Sequence, residues 1–480
     1  QQPLNNKIMK QSIKSDDLND HDNIKSSEDG SLILEELPKS ADTHIVSNGT
    51  RSRQGSSFSL RNRNRSRGSS IASNILETID SITTHNEQTD IDTKDPGLNS
   101  EIFYEKKMSP LRFRIRHFLL NFVKDETKPL LFIQTHCRNF IFDEYFIYSA
   151  NLGSHFFYVI CLPMTRWIPI SDKMDYSRDL IYLLAYSIYF SGFIKDFLCL
   201  PRPKAPPIIR ITHSEYTTKE YGAPSSHTAN ATAVTLYVIL QLFANLQNFP
   251  IKKSLLYFGL IAMYYTTLSF GRLYSGMHGF FDLESGALIG LLTLILRLGS
   301  KKMIDYNLLT NGSIFYPIIQ IIIGFTLLFC HTHPIELCPC FEDSVSFIGV
   351  VGGLEIADWI CCNFGEKWLP WVTNKTPQNL YFQLPLPKAT DNWYKIIGLR
   401  LLVGVTLVLI WKEVITVYIT KKIFKLKTTS ILSNKTLKQV QVKEYEALPY
   451  KVIIWRYWIY AGIAIVSCFI APLFFVLFGL

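Results

Sequence analysis

The sequence predicts an all-α protein: a polytopic bundle of transmembrane helices with a six-helix core. Three observations predict it. Of the 480 residues, 48% are hydrophobic. The first 105 or so hold almost none of the long apolar runs. The rest is a series of runs of the length that crosses a bilayer, about 20 residues each. A soluble multidomain protein rarely repeats such runs, so that class is set aside.

Taken in order, residues 1–105 are rich in Ser, Asn, Asp, Thr and Arg. Such a composition cannot bury a core, and a disordered cytosolic tail is expected. Within it Arg51, Arg53, Arg61, Arg63, Arg65 and Arg67 alternate with polar residues, just before Ser69 and Ser70. That basic run reads as a solvated linker or a phospho-regulated segment near anionic lipid. Residues 106–141 mix cations with Phe, Leu and Ile and are expected to lie in the membrane interface. Candidate spans follow at 142–165, 177–200, 227–247, 254–271, 279–298, 313–331, 344–363, 393–419 and 452–479. The core is placed at 142–331, with additional helices in 332–480. Lys252 and Lys253 after one span, and Arg297, Lys301 and Lys302 after another, mark a cytoplasmic side.

Three polar stretches lie at the opposite ends of these helices. The first runs from Lys195 to Arg202-Pro203. Pro203 ends any helix, Arg202 offers a planar fork for two phosphate oxygens, and Lys195 adds a point charge. The second is Pro224-Ser225-Ser226-His227, opening an apolar span. Its hydroxyls and backbone N–H groups form a helix N-terminus, which attracts anions. His227 can protonate a leaving alkoxide and later accept a proton from water. The third is Gly271-Arg272 through His278 to Asp282. On a helix His278 and Asp282 share a face, so Asp282 can take the Nδ1 proton and leave Nε2 to attack phosphorus. Read together, the residues suit cleavage of a phosphate monoester: His278 as nucleophile, His227 as general acid and base, Asp282 orienting His278. Lys195, Arg202, Ser225, Ser226 and Arg272 would hold the phosphate. A bland reading remains for each stretch alone, as snorkelling lysine, N-cap serine or interfacial His–Asp pair.

The set resembles the type 2 phosphatidic-acid-phosphatase superfamily, whose pattern is K-x6-R-P, then P-S-G-H, then S-R-x5-H-x3-D. Two positions depart from it: Ser226 stands where the pattern has Gly, and Gly271 where it has Ser. The flanking words, from Ala150-Asn-Leu-Gly-Ser-His to Glu220-Tyr-Gly-Ala-Pro-Ser-Ser-His, are similar to the sphingosine-1-phosphate phosphatase branch. The Ser/Arg-rich tail resembles that of the fungal sphingoid long-chain base-phosphate phosphatases. The resemblance implies a metal-independent, cofactor-free enzyme of the endoplasmic reticulum membrane. It would dephosphorylate sphingoid-base phosphates on the luminal side. A same-fold phosphatase or phosphotransferase for phosphatidate or a polyprenyl diphosphate stays open, as does a non-catalytic transporter or scaffold. The expected partners are the membrane and a lipid phosphate, with no nucleic acid.

The nine cysteines form no disulfide framework. His331, His333, Cys338 and Cys340 hint at zinc, but their spacing favours a luminal disulfide or free thiols. Asn311, Asn374 and Asn434 open glycosylation sequons.

Overall fold

The structure, a computed structural model, describes residues 95–168, 176–214, 217–248, 250–310, 312–336, 338–368, 393–422 and 450–480. The basic Arg51–Arg67 run and the asparagines of all three sequons lie outside the described residues. Three short helices come first: α1 (Glu101–Lys107), α2 (Pro110–Lys124) and α3 (Thr127–Cys137). Two more, α4 (Phe140–Ser149) and α5 (His155–Trp167), flank a single 3₁₀ turn at Ala150–Gly153. The long helices are α6 (Ser177–Leu198), α7 (Ser226–Ala244), α8 (Ile251–Tyr274) and α9 (Phe280–Thr310). They are followed by α10 (Phe315–Cys330) and α11 (Cys340–Trp368). The last two, α12 from Trp393 and α13 from Tyr450, each pass through a π-turn, at Ile410–Ile415 and Val466–Ile470.

Among the described residues, four helical stretches are long and apolar enough to cross a membrane: Ser177–Leu198, Cys340–Phe364, Trp393–Thr420 and Tyr450–Leu477. The spans expected at 227–247, 254–271 and 279–298 are helices as well, and they turn apolar side chains outward. Leu255, Leu256 and Met263 on α8, and Leu288, Leu292 and Ile295 on α9, are exposed. An apolar belt of this kind is what lipid covers. Inside, Tyr182, Ala185 and Ile188 of α6 pack on Phe347, Val351 and Leu354 of α11. Lipid tails are as apolar as these side chains, so the gain is close packing, not escape from water.

The structure corrects several expectations. The span at 142–165 is not one helix, because Asn139 and Ser154 each cap a new start, accepting from the N–H of Phe142 and Phe157. The folded region also begins ahead of the expected boundary at 105. Gly97 N–H, Asn99 Nδ2 and Tyr104 OH all donate to the Glu336 carboxylate, at 2.9, 2.6 and 2.8 Å. Two cations of the 106–141 segment face protein instead of lipid headgroups. Arg112 donates to the carbonyls of Asp196 and Phe197, and buried Arg116 to those of Gly97 and Cys199. Both arginines thus serve the C-terminal end of α6, where orphan carbonyls and the helix dipole attract cations. The opposite face of α2 keeps Leu111, Phe118 and Phe122 exposed.

Arg297, Lys301 and Lys302 do not form a turn, since α9 runs on to Thr310. Arg297 is buried and pairs with Asp179 at 2.7 Å. Lys301 pairs with Asp179 at 2.6 Å and with Asp305 at 3.4 Å. Beside them Arg178 binds Asp305, Glu355 and Asp358, and Arg166 binds Asp358 at 2.6 Å. Tyr237 donates to Asp179, and Tyr182 and Tyr316 donate to Glu355. The result is an ionic layer of four cations and four carboxylates tying α5, α6, α9 and α11 together. It gathers at the start of α6, whereas Lys195 stands near its end.

Candidate active site

Helix α6 ends because Cys199 turns left-handed, with φ 51°, and its N–H closes on the Lys195 carbonyl at 2.9 Å. The chain then runs through Pro201 to Arg202. Both cations of the first motif are buried, Lys195 at 1% and Arg202 at 3% exposure. They are held by Glu220, which the motif reading left without a role. Lys195 Nζ donates to the Glu220 carboxylate, which also stands 3.6 Å from Arg202 NH2. Arg202 further donates to the carbonyls of Glu220, Thr217 and Met277.

Helix α7 opens with the second motif. Ser225 is its N-cap: the hydroxyl accepts from the N–H and Oγ1 of Thr228, at 3.4 and 3.2 Å. Its own N–H donates to the Asp282 carbonyl at 2.8 Å. The hydroxyl expected on phosphate thus caps the helix through its oxygen, while its O–H proton stays available to donate. Ser226 and His227, one step on, line a cavity of about 490 Å³. Gly153 lies against His227, and a Cβ there would run into the imidazole. The break between α4 and α5 is thus what lets the histidine reach the cavity.

The third motif spans the turn from α8 to α9. His278 donates or accepts at both ring nitrogens: Nδ1 lies 3.1 Å from Asp282 Oδ2, and Nε2 lies 3.1 Å from Arg202 NH1. A guanidinium only donates, so Nε2 is the acceptor and Nδ1 carries the proton. Asp282 Oδ2 also accepts the Gly279 N–H at 3.0 Å, which holds the carboxylate in place. The turn's histidine is pulled well below the usual imidazole range, first by burial, then by Arg202, Lys195, Arg272 and His227. Arg272, in the last turn of α8, is 5% exposed and lines the same cavity. Its Nε has no hydrogen-bond partner.

Gly271 also has a local cause. A Cβ there would come within 2.7 Å of the Phe146 ring, so the serine of the superfamily pattern has no room. The nearby Ser275 hydroxyl turns back to the Arg272 carbonyl at 3.3 Å, and Ser269 Oγ is buried without a partner. Glu126 is another residue that sequence reasoning missed. Its carboxylate accepts the Phe281 N–H at 2.6 Å and caps the start of α9 beside Asp282. Burial pushes its carboxyl up to about 7, against the pull of that N–H bond.

With this geometry in hand, comparison with known proteins decides the family. The family model described as the PAP2 superfamily matches residues 177–303, which contain all the motif residues. Dihydrosphingosine 1-phosphate phosphatase YSR3 of Saccharomyces cerevisiae is 40% identical over 390 residues, 79% of this chain and 91% of its own length. The chain belongs to the PAP2 superfamily. Dihydrosphingosine 1-phosphate phosphatase C823.11 of Schizosaccharomyces pombe is 34% identical over 66% of this chain and 73% of its own. Sphingosine-1-phosphate phosphatase 2 of Mus musculus is 27% identical over 58% and 74%. No solved structure matches. Membership makes the chain a phosphatase, a phosphoric monoester hydrolase. In this PAP2 phosphatase Lys195, Arg202, His278 and Asp282 are linked through Glu220 and shared contacts, and Ser226, His227 and Arg272 line the cavity that Glu220 also lines.

The His331–Cys340 segment brings its two cysteines together beside the end of α6. Among the described residues, the metal-capable group is Asp196 with Cys338 and Cys340, their ligand atoms within 4.8 Å of one another. The two sulfurs stand 2.7 Å apart. Two thiolates sharing one tetrahedral zinc, each at about 2.3 Å, stand roughly 3.7 Å apart. The sulfurs are thus too close together to share a tetrahedral zinc. His331 Nδ1 lies 4.0 Å from Asp196 but rests on the Thr332 carbonyl, and Nε2 on Ser344 Oγ, at 2.8 and 3.0 Å.

Proposed function

We propose that this phosphatase hydrolyses sphingoid long-chain base 1-phosphates to the free base and inorganic phosphate through a phosphohistidine on His278. The observation that carries the reading is a buried, partnerless Arg272 Nε at the cavity together with an oriented His278–Asp282 couple whose Nε2 rests on Arg202, the cation that shares Glu220 with Lys195. The substrate class follows the printed names of the relatives.

The steps follow from the residues. The phosphate enters among Lys195, Arg202 and Arg272, and its oxygens take over the guanidinium donor that now rests on His278 Nε2. The freed Nε2 lone pair attacks phosphorus as the P–O bond to C1 of the base breaks. His227 gives its proton to the departing alkoxide. Asp282 stabilises the charge that grows on the His278 ring. Water then attacks the phosphohistidine, with His227 taking its proton, and phosphate leaves. Three cations supply the charge stabilisation, so no divalent ion is needed and turnover should survive EDTA. The membrane is placed as the endoplasmic reticulum, with the cavity on the luminal side.

Phosphate release from dihydrosphingosine 1-phosphate, phosphatidate and a polyprenyl diphosphate, in detergent, tests the substrate class. Single turnovers with labelled substrate, quenched in alkali because a phosphohistidine P–N bond is acid-labile, test the intermediate. An alkali-stable label should sit on His278 and vanish in His278→Ala, which should lose turnover by many powers of ten. Appreciable activity in that variant would sink the phosphohistidine.

A further inference from the structure

The substrate-free site already contains an anion where the phosphate must go. Lys195 Nζ donates to the Glu220 carboxylate, and Arg202 NH2 stands 3.6 Å from the same oxygen. Glu220 is not a surface acid that happens to be near. Its side chain is 15% exposed, it lines the cavity with Ser226, His227 and Arg272, and its backbone carbonyl takes Arg202 Nε at 2.9 Å. A phosphate that claims Lys195 and Arg202 displaces the Glu220 carboxylate from Lys195, while the Glu220 backbone stays bonded to Arg202. Moved off Lys195 but held beside a dianion, that carboxylate repels the ligand.

One kind of substrate removes the conflict. In a 2-amino alcohol 1-phosphate, the ammonium sits two carbons from the ester oxygen, so it arrives beside the phosphate. Charge counting gives the same answer. Lys195, Arg202, Arg272, the His227 imidazolium that will protonate the leaving group and the ammonium carry five positive charges; Glu220, Asp282, the cavity's Asp343 and the phosphate dianion carry five negative ones. Without the amine the filled site is left one charge negative.

We propose that Glu220 is the amine-recognition residue: it rests on Lys195 in the empty site and passes to the substrate ammonium when phosphate takes Lys195. This rests on the sphingoid-base reading above and deepens it, since it assigns the selection of 2-amino phosphates to one side chain. A second carboxylate, Asp343 of α11, also lines the cavity. Glu220 is favoured because it alone is within ion-pair reach of the two phosphate cations.

The test compares kcat/KM of the full chain in detergent for dihydrosphingosine 1-phosphate and for its 2-deamino analogue of the same chain length. The wild type should prefer the amine by roughly 10- to 100-fold, the worth of one charge-assisted hydrogen bond. In Glu220→Gln the ratio should fall to near one, through loss on the amine substrate. Glu220→Asp should recover part of the preference, and Asp343→Asn should keep it. Because each ratio is internal to one preparation, partial loss of folded enzyme cancels. A wild-type ratio near one overturns the proposal without any variant. So does an undiminished ratio in Glu220→Gln, an equal loss on both substrates, or a collapse in Asp343→Asn instead. Failure of the wild type to hydrolyse dihydrosphingosine 1-phosphate at all would sink the substrate class itself, a different result.

Discussion

Replacing Asp282 by Asn asks how much of the His278 chemistry depends on charge. In a serine-protease triad the same change costs about 10⁴-fold, because it forces the wrong histidine tautomer. The geometry here predicts a smaller loss. Oδ2 of Asp282 accepts two donors, His278 Nδ1–H and Gly279 N–H, at 3.1 and 3.0 Å, while Oδ1 has no partner. An Asn can put its oxygen in the Oδ2 place and its NH2 in the unpartnered one. The Gly279 N–H, a donor to that same place, keeps the Asn oxygen there, so the proton stays on Nδ1 even after phosphate has drawn Arg202 from Nε2. What is lost is the difference between a charged and a neutral acceptor, about 1–2 kcal/mol. That corresponds to roughly 5- to 30-fold in kcat. Folding should be nearly unaffected, because the Ser225 N–H bond goes to the Asp282 backbone carbonyl. The assay is kcat for phosphate release beside the thermal midpoint of each protein. A loss as large as that of His278→Ala, in a variant that melts like wild type, would refute the tautomer argument. No loss at all would refute the orienting role.

Three further outcomes are expected. Burial and the surrounding cations hold His278 below its ordinary 6.5, so its neutral, attacking form persists on mild acidification. The acid limb of kcat/KM, corrected for substrate phosphate ionisation near 6, should fall below 6.5, and a limb at or above it would contradict the site's electrostatics. Deleting residues 1–94 should leave turnover and the melting point unchanged. Extending the deletion to 100 should lower the melting point, since Glu336 loses two donors worth about 1.5–3 kcal/mol each; a folded but inactive 1–94 deletion would show that the tail serves the site. Finally, single cysteines at Lys219, beside the cavity, and at exposed Lys302 should report opposite membrane faces in sealed microsomes, after background cysteines are replaced. An impermeant thiol reagent should label position 302 and spare 219 until detergent is added, and the reverse pattern would put the chemistry in the cytosol.

The six charged and imidazole residues of the site were legible because each sits in a contiguous word with fixed spacing. Helix periodicity alone put His278 over Asp282. What escaped the sequence depends on contacts between distant segments. Glu220 lies inside a quoted motif word, yet only the fold shows its carboxylate on Lys195. Gly271 reads as a missing hydroxyl until Phe146 is seen packed against it. Ser225 reads as a phosphate ligand, and only the fold shows that its oxygen also caps α7 through Thr228. Arg297 and Lys301 read as cytoplasmic loop charges because Asp179, more than a hundred residues earlier, is their partner. The i,i+4 pair Lys301–Asp305 was the one readable hint that the helix continues.

The ionic layer at the start of α6 also bears on how this chain can change over time. Removing one member of a buried pair leaves an uncompensated charge and costs about 3–5 kcal/mol, whereas exchanging both for apolar groups of similar volume is often neutral. Asp358 alone serves Arg166 and Arg178, and Arg178 in turn serves Asp305 and Glu355. Single substitutions along that chain of pairs are therefore blocked one by one, while concerted ones are open. Among descendants of a common ancestor these positions should be kept or lost as a set. The exposed apolar belt on α8 and α9, which meets only lipid, should drift freely from leucine to isoleucine to phenylalanine.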